Sequence, residues 1–201
     1  MKKWIAAVCI GLTAAVVLQF STGFAAECAQ IRENVLRLHI LANSDSEEDQ
    51  TLKLKVRDRV LEETEELFYQ ADNLAAAKQS ARQNLEEIRL AAEEEVERQG
   101  YDYPVKAEVV NMFFDTRVYE EFTLPAGHYD SVRITIGEAA GHNWWCMLYP
   151  AVCLPCATPR QELEENFTPE QADIVEKPQE YEIQFAVVEL WEKLKSLWNG
   201  K

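Results

Sequence analysis

VLRLHILANSDSEED, residues 35–49, is the stretch from which the fold is read outward. Residues 35–41 are dense in branched apolar side chains without clean alternation, which predicts a strand buried on both faces. ANSD at 42–45 ends the strand, because short polar side chains bond to nearby backbone amides and reverse the chain. Ser46 then stands as an N-cap before Glu47, Glu48 and Asp49, whose charges offset the positive end of a helix dipole. A helix is therefore expected from there to about Tyr69. Leu52, Val56, Val60 and Leu67 mark one side of it, and Leu54, Leu61 and Phe68 lie roughly opposite, so it should be held between two layers.

A second helix is expected from an Asp72 cap to about Gln99, with Leu74, Ala81, Leu85, Ile88, Ala92 and Val96 on one face and Gly100 as a left-handed C-cap. Its alanines would let it lie against the first as a hairpin. Beyond Pro104 the period changes to two. Strands are read at 105–114, 117–122 and 129–136, with a tight turn at LPAG, residues 124–127. The elements amount to an α+β fold: a largely antiparallel sheet of about four strands, a two-helix hairpin on one face, and a C-terminal amphipathic helix. Residues 26–157 are read as one domain and 158–179 as an acidic, Pro-containing linker. Residues 180–201 form the final helix, with Ile183, Val187, Leu190, Trp191, Leu194 and Trp198 on one side.

Met1-Lys2-Lys3, the apolar run over 4–20 and a small-residue exit have the layout of a secretory signal peptide, with a cut expected after Ala25. The competing reading is a retained anchor, since 4–20 is about the shortest run that crosses a bilayer. Either way the chain is exported. Its net charge of −15 excludes a phosphate-binding footprint for nucleic acid. Cleavage leaves Cys28, Cys146, Cys153 and Cys156. An even number in an exported chain reads as disulfides, and Cys146 with Cys153 is the expected bridge because Leu148-Tyr149-Pro150 can turn the chain back. Zinc at Cys153 and Cys156 is disfavoured, as no second ligand cluster lies near.

No sequence pattern assembles a reactive centre. The chain has three histidines, His39, His128 and His142, and seven glycines. They form no metal-ligand pair, nucleophile elbow or phosphate-cradling loop. His39 is read as a satisfied strand histidine, and the charges on the first helix as an ion-paired, solvated face. No catalytic residue, metal, cofactor or small-molecule substrate is expected. Trp144 and Trp145, adjacent on an extended chain, should point to different sides, so that one can be left near the surface as a protein-binding anchor, while plain core packing is the favoured reading.

RLHILANSDSEEDQTLKLKVRD at 37–58, GYDYPV at 100–105, LPAGHY at 124–129, VRITIG at 132–137 and GHNWWC at 141–146 together resemble the stage II sporulation protein R family, over roughly 32–153. The chain departs from the family pattern at Phe114-Asp115, at Tyr119-Glu120 and in the extra cysteine of 150–156. The resemblance implies a protein made in the forespore and exported, with signal peptidase as a passing partner, into the space between the forespore and mother-cell membranes. There it would activate a membrane-embedded aspartic protease, which processes a sigma-factor precursor of the mother cell. The blocks single out Asn43, Ser44, Asp45, Glu48, Asp49, Gln50, Lys53, Arg57, Trp144 and Trp145 as the partner-binding surface. Two other readings stay open: an exported cell-wall hydrolase using Asp45 or Glu48 with His39, and an envelope scaffold acting through its C-terminal helix.

Overall fold

The computed structural model describes residues 22–119, 122–155 and 158–199. Most of the expected signal peptide, over 1–21, and Cys156 lie outside the described residues. In chain order the elements are α1 (22–33), β1 (Leu36–Leu41), α2 (Glu47–Tyr69), α3 (Leu74–Gln83), α4 (Leu85–Arg98) and β2 (Val105–Phe114). There follow β3 (Arg117–Val118), β4 (Thr123–Leu124), β5 (Gly127–Ile136), β6 (Asn143–Tyr149), α5 (Pro159–Asn166), α6 (Pro169–Glu176) and α7 (Glu182–Asn199). The chain divides into two compact units.

The larger unit, 34–113 with 128–167, holds the expected α+β fold. Its four strands run in the order β2-β5-β1-β6, with β1 parallel to β5 and antiparallel to β6. β1 is central and enclosed on both faces, as its composition predicts. Leu36, Leu38 and Ile40 join Val132, Ile134 and Ile136 in a core that α2, α3 and α4 complete with Leu52, Val56, Val60, Phe68, Ala81, Ile88 and Val96. On the opposite face Arg37 is buried with its guanidinium 5.0 Å from the centre of the Tyr129 ring.

Four details differ from the sequence reading. The expected strand at 117–122 supplies only β3, which pairs with β4 in a separate two-stranded sheet, while β6 takes the fourth place in the main sheet. The second helix is divided at Asn84, whose side chain turns back to donate to Ser80 O at 2.9 Å. Its cap is Asn73, accepting from Ala76 N at 2.9 Å, rather than Asp72. Leu54, placed on a second buried stripe, is exposed. Gly100 does adopt the left-handed conformation, with φ 85°.

The smaller unit gathers 22–33, 114–127 and 168–199. Phe24 of α1 stacks on Tyr181 and meets Phe185 edge-on, with ring centres 5.4 and 5.2 Å away. Arg32 donates to Ala126 O at 3.0 Å and pairs with Glu192 at 3.3 Å. Gly127 has to be glycine here: its φ is 142°, and a Cβ would stand 2.5 Å from Arg32 Cδ. The cut expected after Ala25 falls inside α1 and would part Phe24 from this cluster. Residues 158–179, read as a linker, carry α5 and α6. Pro159 and Pro169 each follow a threonine cap, and Thr168 with Gln171 makes a reciprocal capping box. Among the described residues no helix is long and apolar enough to cross a membrane.

Candidate functional site

Where β1 ends, the backbone amides and carbonyls it no longer pairs must find other partners. The reversal at 43–46 supplies them with short polar side chains. Ser46, extended at φ −63° and ψ 152°, caps α2 by accepting from Asp49 N at 3.2 Å. The first turn of α2 then brings Asp49 back over the strand end, where it is buried. Its Oδ2 accepts from Asn43 Nδ2 at 2.8 Å and from Ser44 Oγ at 2.6 Å. Burial alone would raise this carboxyl, but hydrogen bonds from Ser44, Asn43 and Tyr103 outweigh it and hold the group below the usual carboxylate range.

At the next residue of α2, Gln50 donates to Ser44 O at 2.8 Å and accepts from Lys53 Nζ, one turn further along, at 2.6 Å. Lys53 is buried, and its ammonium also donates to His142 O at 2.9 Å. Burial pulls the Lys53 amine down, against the opposing pull of Asp45. The carbonyl it reaches belongs to a second loop, 137–142, laid across the first. Ala140 N and Gly141 N donate to Asn43 O and Ala42 O at 3.1 and 3.0 Å. Glu138 N donates to Asn43 Oδ1 at 3.0 Å, and His142 N to Asp45 Oδ1 at 2.6 Å. The His142 ring donates to the same oxygen through Nδ1–H, and these hydrogen bonds hold the Asp45 carboxyl low. Two glycines permit the crossing. A Cβ on Gly137, at φ 58°, would lie 2.2 Å from Asn43 Oδ1, and one on Gly141 only 2.1 Å from Ser44 O.

β6 leads away from this crossing and places its two tryptophans on opposite faces, both half-buried. Trp144 packs against the helical core, and the Arg57 guanidinium sits 5.2 Å from the centre of its ring. Trp145 stacks on His39, ring centres 5.9 Å apart, in register with it across the sheet. His39 Nε2–H donates to Asn143 Oδ1 at 2.7 Å. Burial lowers its pKa from 6.5 to about 4, so the ring is neutral at ordinary pH. Cys146 and Cys153 form the expected disulfide, closing the far end of β6 with 6.3 Å between the Cα atoms.

The structure thus joins Asn43, Ser44, Asp45, Asp49, Gln50, Lys53, Arg57 and Trp144 in one polar cap, with Trp145 on the reverse face of the sheet. Glu48 stands outside the network, exposed on the wall of an open groove of about 460 Å³ that Thr51, Lys55, Gln99 and Tyr101 also line. The His39 pairing that a hydrolase would need is not formed: His39 faces Asn143, and Asp45 faces His142. Sequence reasoning left out His142, Asn143, Tyr103, Gly137 and Gly141. The two glycines were the available signal, one ending the VRITIG block and the other opening GHNWWC. Within the cap the polar groups pair with one another. Its inner carboxylate and ammonium are occupied, and Asp45, His142, Arg57 and Trp144 form its outer edge.

The family model for stage II sporulation protein R matches residues 32–158. The stage II sporulation protein R of Bacillus subtilis (strain 168) is 37% identical over 123 residues, which covers 61% of this chain and 55% of that protein. The chain therefore spans little more than half the length of that relative. No solved structure matches.

Proposed function

We propose, from the premise that this chain belongs to the stage II sporulation protein R family, that it is an intercompartmental signal of endospore formation and supplies no catalytic group of its own. In this reading it is exported from the forespore, with signal peptidase acting on it in transit, and works in the space between the two membranes. There it binds the exported face of a membrane-embedded aspartic protease. Binding favours the active arrangement of that protease to the extent that the ligand fits it better than the inactive one. The mother cell's sigma-factor precursor is then cut.

The observation that carries this reading is where the family match falls. Residues 32–158 enclose β1, the three helices packed on it, and both loops of the polar cap. A cap whose side chains are already fixed by hydrogen bonds loses little conformational entropy when a partner docks. Arg57 over Trp144 adds a large, stiff contact of the kind that dominates protein interfaces.

The test is co-expression of this chain, the cognate protease and the precursor in a non-sporulating host, with the cut product followed by immunoblot. Processing is expected to require this chain with residues 1–25 present. It should fall by about tenfold or more in Arg57→Ala and Trp144→Ala variants whose export and unfolding midpoint are unchanged. An uncut precursor with the wild-type chain would reject the reading. Wild-type processing by both variants would move the docking surface elsewhere.

A further inference from the structure

The outer face of α7 carries a pattern that the signalling reading does not use. Phe185 and Glu192 point into the smaller unit, where Phe185 meets Phe24 and Glu192 pairs with Arg32. On the opposite side Ile183, Val187, Leu190, Leu194 and Leu197 recur at alternating spacings of four and three. Those are the d and a positions of a heptad whose f positions are the buried Phe185 and Glu192. All five seam residues are exposed, Ile183 at 79%, Leu190 at 61% and Leu197 at 74%. Trp191 and Trp198 flank the seam at the e positions, Trp198 at 87% exposure. A contiguous apolar stripe of this kind is unusual on a monomer's surface and marks an interaction site.

We propose that the α7 seam pairs in parallel with α7 of a second copy of this chain, making the protein a two-fold dimer through a short coiled coil. The seam is complementary to itself. In a parallel pair each g residue faces the e residue five places further along the partner helix. Ala186 then leaves room for Trp191, and Lys193, whose ammonium pairs with Asp115 and Glu189, lays its apolar stem beside Trp198. No like charges oppose each other across the seam. Seven large apolar side chains, each at least half exposed, stand along the stripe to be buried between two copies.

The other occupants fit less well. In 22–33, 114–127 and 168–199 acidic residues outnumber basic ones by more than two to one, so an anionic leaflet would repel this unit. The apolar run at 4–20 joins α1 at the end where Phe24 meets Tyr181 and Phe185. Leu197 and the flanking Trp198, 74% and 87% exposed, lie at the opposite end of α7, beyond Glu192.

This inference does not depend on the signalling role and is tested separately. The full-length chain is expressed for export, purified and weighed by sedimentation equilibrium at tens of micromolar. Two-chain mass is expected for the wild type, with association weakened at least about a hundredfold in Leu190→Glu, because two charges would meet in the seam. Leu190→Cys should give a covalent dimer on mild oxidation that the wild type does not, as parallel d positions face each other. One-chain mass for the wild type, or unchanged mass for Leu190→Glu, overturns the proposal. So does a one-chain protein that binds lipid vesicles through Trp191 and Trp198, which would assign the face to a bilayer.

Discussion

The cap over β1 and the outer face of α7 are both surface regions that carry tryptophan, but folding treats them in opposite ways. In the cap nearly every polar group meets a partner from the chain itself. Asp49 accepts from two side chains at the end of the strand, Lys53 donates to two acceptors, and Asn43 uses both ends of its amide. Along α7 the chain buries one side of the helix and leaves the apolar stripe uncovered. Polar surface can be made rigid by internal hydrogen bonds before anything docks. Apolar surface yields its free energy only when water leaves it. The first region should therefore govern stability, and the second association.

Substitutions can break or sharpen that contrast. The largest effect on folding is expected from Asp49→Ala, which strands the donors of Asn43 and Ser44 in a buried site and should lower unfolding free energy by about 3 kcal/mol, measured by urea titration. Acid should act next, first on the reverse face of the same sheet. His39 titrates near 6.5 when unfolded but near 4 when folded. Between those values the unfolded chain therefore binds the extra proton, and stability falls as pH falls. The loss should approach about 3 kcal/mol near pH 4 and flatten in His39→Gln. Below about 3.9, where an unfolded aspartate protonates, Asp49 adds a further loss because its folded carboxyl stays ionised to lower pH. The smallest effect is expected from Leu190→Glu, whose exposed site should leave the unfolding free energy, measured at concentrations dilute enough that both chains are single, within about 0.5 kcal/mol of wild type even as its mass at tens of micromolar halves. A large destabilisation there would show that α7 matters to the fold and not only to association.

How much of this was legible depended on how local its cause was. β1, the reversal after it and the Ser46 cap could be read because a strand end and a helix start announce themselves within a dozen residues. The break at Asn84 was hidden by alanines and leucines that keep the helical period straight through it. β6 was missed as a strand because its tryptophans drew attention as anchors, although their alternation already fitted an extended chain. Composition suggested a linker at 158–179, yet Thr158-Pro159 and Thr168-Pro169 with Gln171 were helix-start signals in plain sight. Most of the cap residues were named, but not the second loop that crosses over them. No local pattern tells Lys53 that its acceptor is the carbonyl of His142. The smaller unit was illegible for the same reason, since Phe24 finds Tyr181 and Phe185 across most of the chain length.

The backbone enters and leaves the smaller unit repeatedly, so its three segments are threads of one knot rather than an appendage. Cutting the chain at 158, where the family match stops, would not trim a dispensable tail. It would strip the ring partners from Phe24 and the carboxylate from Arg32, and leave the β3–β4 hairpin without the helix that lines its groove. Fragments that keep α1 but stop at 158 would therefore carry two orphaned pieces that have lost their reason to fold.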